Sequence, residues 1–251
     1  MCLNNWGGID HKVLEFHEYV NLFSGKSGSG KSTVMDAIQV ILYGSFSPSF
    51  LNKAADDAKN RRSVLSYLRG EQKDGSANRK DCDFCSVIAL EIEDTGTHII
   101  TCIGIAFEVR KSDSEIKKFV YFSHSGKMPE SEYLTEQGVC YSNQEIKKLV
   151  SARTKSDDNR GKGEVNRIYG SKEAYLGTLY DVILGYIDQN RFITMEKSAI
   201  ALKMTNGTGQ FIRDYMFPKS TSNTIATISE QLDSYRQIKD KIEDLRKRIE
   251  I

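Results

Sequence analysis

Gly25-Lys26-Ser27-Gly28-Ser29-Gly30-Lys31-Ser32, followed by Thr33, sets three glycines, two lysines and a terminal hydroxyl at the spacing G-x-x-x-x-G-K-S. Each residue type answers part of the chemistry of a polyphosphate. Glycines let the backbone take left-handed conformations and come close to oxygen atoms, so that successive N–H groups point inward at an anion. Lys31 is placed to reach the β- and γ-phosphates, and the Ser32 hydroxyl to ligand Mg²⁺. The expected cofactors are therefore ATP and Mg²⁺, with Gly25, Lys26, Ser27, Gly28, Ser29, Gly30, Lys31, Ser32 and Thr33 as the binding residues.

Such a loop needs a strand before it and a helix after it. Val13, Leu14, Phe16, Tyr19, Val20, Leu22 and Phe23 make an apolar, β-branched and aromatic approach that reads as a strand. Val34, Ile38, Ile41 and Leu42 recur at helical spacing, with Gly44 as a stop. The helix would aim its N-terminal N–H groups and dipole at the phosphate.

Further along, residues 50–70 read as a basic helical segment carrying Arg61, Arg62 and Arg69 around Leu65 and Leu68, and 71–81 as an exposed loop. Alternation over 86–93 and 98–109, with a turn at Asp94-Thr95-Gly96 and a third strand from Lys118, predicts an antiparallel meander over about 86–122. Residues 151–163 mix charge with glycine and read as a loop. Residues 171–217 read as helical. There, Val182–Gln189 mimics an apolar strand ending in a metal-binding Asp, but Leu176, Leu179, Tyr180, Ile183, Leu184 and Ile187 share one helical face, so Asp188 is expected at a helix end. From Ile225, apolar residues at three-four spacing up to Ile249, flanked by dense mixed charge, predict the start of a coiled coil. The domain reading is one α/β unit over 1–218 and the coiled-coil start over 219–251.

Composition sets bounds. Thirty-five basic residues against 34 acidic give a net charge of +1, so contact with DNA would need a local patch, for which Arg61, Arg62, Arg69 and the surroundings of Arg153 are the candidates. No apolar run is long enough to cross a bilayer and no basic-then-apolar leader opens the chain, so a cytoplasmic location without membrane contact is expected. Five cysteines are scattered and odd in number, against a disulfide framework, and Cys82-x-x-Cys85 lacks the second ligand pair that zinc requires. Asn206-Gly207-Thr208, a sequon in form, reads as a turn.

A self-contained hydrolase would add a carboxylate strand for Mg²⁺ and a group that positions water. Neither is seen, nor is an LSGGQ-like segment, so no catalytic residue is assigned and a split ATPase head is expected. A small kinase would need a lid and acceptor site, and a transporter cassette its signature segment; a pure binding module remains open.

Asn5-Trp6-Gly7-Gly8-Ile9, Leu22-Phe23-Ser24, Met35-Asp36-Ala37-Ile38-Gln39, Leu42-Tyr43-Gly44, Phe50-Leu51-Asn52-Lys53-Ala54, Ser66-Tyr67-Leu68-Arg69-Gly70 and Phe211-Ile212-Arg213-Asp214-Tyr215 together resemble the N-terminal head half of JetC-type SMC-like ATPases. These belong to Wadjet anti-plasmid defence systems and are relatives of the MukB-type condensins. The resemblance implies an α/β P-loop NTPase fold, the N-terminal lobe of an ABC/SMC-type ATPase head with an antiparallel β-subdomain and an emerging coiled coil. It implies that two heads dimerise around two ATP molecules and drive loop extrusion on DNA. It also implies as partners the C-terminal half of the same head, a second head, and kleisin-like and nuclease subunits. SMC-like ATPases of DNA repair or chromosome organisation are the alternative. On the same basis Arg61 or Arg62 is a candidate to face the nucleotide, and Gln144, Gln189 and Gln210 are candidates for a Mg²⁺-contacting glutamine. Phe211–Phe217 resembles the segment leading into the coiled coil.

Overall fold

The computed structural model describes residues 1–26, 28–48, 51, 63–72, 75–156 and 165–200, all within the unit Met1–Ala201. Six strands form one antiparallel sheet in the order β2-β1-β3-β4-β5-β6. They are β1 (Cys2–Trp6), β2 (Ile9–Val13), β3 (Phe84–Glu93), β4 (Ile100–Val109), β5 (Lys118–Ser125) and β6 (Arg167–Tyr169). Gly7 and Gly8 make the two-residue turn of the first hairpin, closed by Trp6 opposite Ile9. Gly7 sits at φ +59, the left-handed value such turns need. The β3–β4 turn is held by Asp94 Oδ1, which accepts the N–H groups of Gly96 and Thr97 at 2.8 Å each. The predicted meander is therefore present as β3–β5. It does not stand apart, because β1 pairs with β3, Leu3 opposite Ile88, and the first hairpin completes the same sheet.

Both faces are covered, which is why β3 and β4 carry apolar residues almost continuously. On one face Leu3, Ile88, Ile103, Ile105 and Phe107 pack with α1 (Lys31–Tyr43), α2 (Val64–Arg69), α4 (Lys172–Gly177) and the π-helical turn Thr178–Ile183. On the other, Val87, Ala89, Ala106 and Phe122 pack with Ile146 and Val150 of α3 (Asn143–Ser156) and with Tyr133 and Cys140 of the preceding loop. A further helix, α5, spans Gln189–Ile200.

Several sequence expectations shift. Residues 14–26 form no strand, and Tyr19, Val20 and Leu22 are 84%, 79% and 89% exposed. Leu14 exchanges backbone bonds with Met1 at 2.7 and 2.8 Å and so extends the first hairpin by one residue, but none of the six strands pairs with the rest of the stretch, and an apolar run without cross-strand partners has little to hold it extended. Helix α3 runs on through Arg153 to Ser156, into the stretch expected as a loop. Its start is a reciprocal cap: Ser142 N–H donates to Glu145 Oε2 at 2.7 Å, and Glu145 N–H returns to Ser142 Oγ at 3.3 Å. The 171–200 segment is helical as read, with Tyr175, Leu176, Leu179 and Tyr180 buried. The face breaks at Gly185 and Tyr186, both at left-handed φ, and Asp188 then caps the start of α5 by accepting Arg191 N–H at 2.8 Å. Arg61, Arg62, Ser27, the sequon, Gln210, Phe211–Phe217 and the expected coiled coil lie outside the described residues.

The C-terminus of α1 is finished in an unusual way. It has no basic residue in its last turn, and Gly44 closes it in the left-handed conformation. Three tyrosine hydroxyls supply donors to the terminal carbonyls: Tyr175 to Ile41 O at 3.0 Å, Tyr180 to Leu42 O at 3.0 Å, and Tyr121 to Gly44 O at 2.6 Å. In an α-helix residues five apart point about 140° away from one another. The π-turn, with Leu184 N–H bonding to Leu179 O at 2.9 Å, widens the helix and brings Tyr180 to the same side as Tyr175.

Candidate functional site

The loop between residues 25 and 33 is built around Lys31. Its Nζ donates to Gly25 O at 2.7 Å, Lys26 O at 2.9 Å and Ser29 Oγ at 3.3 Å, so the loop closes over its own lysine. Gly28 at φ +85 and Gly30 at φ +88 turn the chain through left-handed conformations that an L side chain resists. Gly30 is the N-cap of α1, and the helix opens with Val34 N–H bonding to Gly30 O at 3.1 Å. The N–H groups of Lys31, Ser32 and Thr33 thus precede the first intrahelical donor. No acidic residue occupies the first turn of α1. Amide dipoles, the helix end and the Lys31 ammonium therefore place one sign of charge at one spot, suited to a multiply charged anion.

Ser32 lies exposed on that first turn, one residue before Thr33, which is half-buried. Thr33 faces the first hairpin: its carbonyl accepts the Trp6 indole N–H at 2.8 Å. Trp6 is fully buried and stacks on Tyr67, with ring centroids 5.1 Å apart and planes 8° from parallel. The Tyr67 hydroxyl donates to the buried Asp36 carboxylate, back on α1. Asp36 is thus engaged within the protein.

Below this contact, Arg79 ties the hairpin turn to α2. Its Nε donates to Leu68 O at 2.9 Å, Nη2 to Gly7 O at 2.5 Å, and Nη1 to Asp10 at 2.7 Å. Burial lowers the Arg79 pKa and the Asp10 carboxylate opposes that shift. At the far side, Gln39 of α1 donates to Glu196 of α5 at 3.0 Å.

The structure therefore gathers Gly25, Lys26, Gly28, Ser29, Gly30, Lys31, Ser32 and Thr33 in one place. Of the glutamine candidates, Gln144 is on α3, across the sheet from α1, and Gln189 opens α5. Asp188 serves as the α5 cap. Trp6 and Tyr67 enter the sequence reading only through the resemblance, and Arg79 only as part of an exposed loop; a buried indole and phenol need hydrogen-bond partners, but only the fold shows which.

A lysine enclosed by a glycine-rich loop at the head of a helix packed on a sheet is a geometry suited to a polyphosphate. Over residues 1–251 the chain matches the family model of an AAA domain, and it belongs to that family. Comparison with curated proteins gave no match. Among the described residues no helix is long and apolar enough to cross a membrane.

Proposed function

We propose that this chain is the ATP-binding half of the head of an SMC-like, DNA-translocating ATPase acting in anti-plasmid defence. The observation that carries the nucleotide part is the Lys31 ammonium held inside a loop of left-handed glycines at the N-terminus of α1. In this reading the N–H groups of Gly30, Lys31, Ser32 and Thr33 and Lys31 Nζ hold the phosphates, Ser29 N–H being engaged with Lys26 O at 3.2 Å, and Ser32 Oγ holds Mg²⁺. Lys31 exchanges its bonds to Gly25 O and Lys26 O for phosphate oxygens, which are stronger charge-assisted partners. Mg²⁺, when bound, neutralises charge on the β- and γ-phosphates.

Among the described residues the groups around the loop fit binding better than turnover. Around the loop the carboxylate seen on α1, Asp36, is turned to Tyr67, and Asp188 caps a helix. Hydrolysis is accordingly proposed to need the C-terminal half of the head, which brings a water-positioning carboxylate and a signature segment, with a second head closing over the nucleotide. The defence role, DNA, and the kleisin-like and nuclease partners rest on the resemblance of Asn5–Ile9, Phe50–Ala54 and Ser66–Gly70 to the JetC type. Plasmid loss in cells carrying the complete system tests this. Lys31→Ala should abolish restriction of a small circular plasmid, and full protection by that variant would end the proposal.

A further inference from the structure

We infer that Trp6 is a positioning residue for the nucleotide site, acting through the Thr33 carbonyl on the first turn of α1. This rests on the nucleotide-binding reading of the loop.

Thr33 directly follows Ser32 and is two residues from Lys31. In a helix its carbonyl already accepts the N–H four residues on, so the indole bond at 2.8 Å is a second one that the helix itself does not require. Its effect is to fix where that turn lies relative to the sheet. A second contact acts on the same residue. A Cβ added at Gly7 would stand 2.5 Å from Thr33 Cγ2, so the hairpin turn presses on Thr33 at a point where only glycine fits. The indole is held in turn, stacked on Tyr67, whose hydroxyl reaches Asp36 one turn further along α1. Gly7 N–H donates to Tyr67 O at 2.8 Å and closes the circuit. First hairpin, α2 and α1 thus meet on the turn that carries Lys31 and Ser32, and this arrangement sets the direction of the N–H groups at 31–33.

A merely structural account is that Thr33 O satisfies a buried indole. The two accounts differ for Trp6→Phe, which keeps the aromatic stack while removing both the donor and its need for a partner. A structural role then leaves nucleotide affinity untouched, whereas a positioning role weakens it.

Trp6 is the chain's one tryptophan, so selective indole excitation reads this contact alone. ADP·Mg²⁺ is titrated into the wild-type chain by calorimetry and, in parallel, by indole emission. The expected result is an emission change whose midpoint matches the heat signal. Trp6→Phe is expected to bind about fivefold more weakly, which is about 1 kcal/mol at 1.4 kcal/mol per decade, with its far-UV circular dichroism unchanged. A clear heat signal with a silent indole, or equal affinity in Trp6→Phe, overturns the inference while leaving nucleotide binding intact. No heat signal overturns the nucleotide reading and this inference with it. Should Trp6→Phe fail to fold, the wild-type emission titration decides alone.

Discussion

Replacing Tyr175 by Phe removes one oxygen atom from the centre of the protein and isolates the contribution of the tyrosine clamp on α1. Tyr175 is fully buried and its hydroxyl is 3.0 Å from Ile41 O, a carbonyl in the last turn where the helix offers no N–H. Losing the bond costs about 1 kcal/mol as a net hydrogen bond, and up to about 3 kcal/mol if the carbonyl stays dry and unpaired. Because Ile41 is also fully buried, about 2 kcal/mol is expected for Tyr175→Phe. Tyr180→Phe should cost about 1 kcal/mol, since Leu42 is only partly buried and water can replace the hydroxyl. The two acceptors are adjacent carbonyls of one helix end, so the double variant should depart from additivity by about 0.5 kcal/mol or more. Urea unfolding followed by far-UV circular dichroism measures this, with the slope m required to stay constant. Tyr186→Phe is the control, because that side chain is 86% exposed. A Tyr175→Phe variant within about 0.3 kcal/mol of wild type would refute the clamp, since a fully buried carbonyl that loses its donor cannot be that cheap.

Two other predictions concern the scaffold. Arg79→Met should destabilise by about 3–5 kcal/mol in the same assay, because it strips donors from Leu68 O and Gly7 O in a site only 7% exposed; a loss below about 1 kcal/mol would contradict this. Burial lowers the His124 pKa, so below its ordinary value of about 6.5 the unfolded chain binds a proton that the native chain resists. Stability should therefore fall as pH drops from about 7 toward the depressed native value, by at most about 1.4 kcal/mol per pH unit from this group. His124→Gln should lose that part of the slope, and an identical slope in the variant would refute the assignment.

What was legible in the sequence was local. The loop glycines, Lys31 and Ser32, the helix after them and the β3–β5 meander all follow from residue type and periodicity within a dozen positions. The approach at 14–26 misled because apolar, β-branched composition signals a strand only when a partner supplies the ladder, and none of the six strands does so. Residues 151–156 read as loop because their charge masks good helix formers such as Ala152, Arg153 and Lys155, while the Ser142–Glu145 capping box that starts the helix went unused. The circuit of Trp6, Thr33, Tyr67 and Asp36 was out of reach for a different reason. Its side-chain hydrogen bonds join residues 27 and 31 positions apart, and the Tyr175 and Tyr180 clamps join residues 134 and 138 apart. No window of periodicity spans such distances. Arg79 sat in a polar stretch expected to be exposed, and its three hydrogen bonds and its place over the Phe84 ring, which explain its burial, are long-range or fold-dependent contacts.

The central claim is that residues 25–33 hold a nucleoside triphosphate through Lys31. Equilibrium binding of ATP·Mg²⁺ to the chain, compared between wild type and Lys31→Ala at fixed ionic strength, tests it most directly. The account predicts saturable binding that Lys31→Ala weakens at least tenfold, the loss of about 1.4 kcal/mol or more expected for a charged hydrogen-bond donor. Equal binding by both forms would place the nucleotide elsewhere or nowhere on this protein, and would contradict the account.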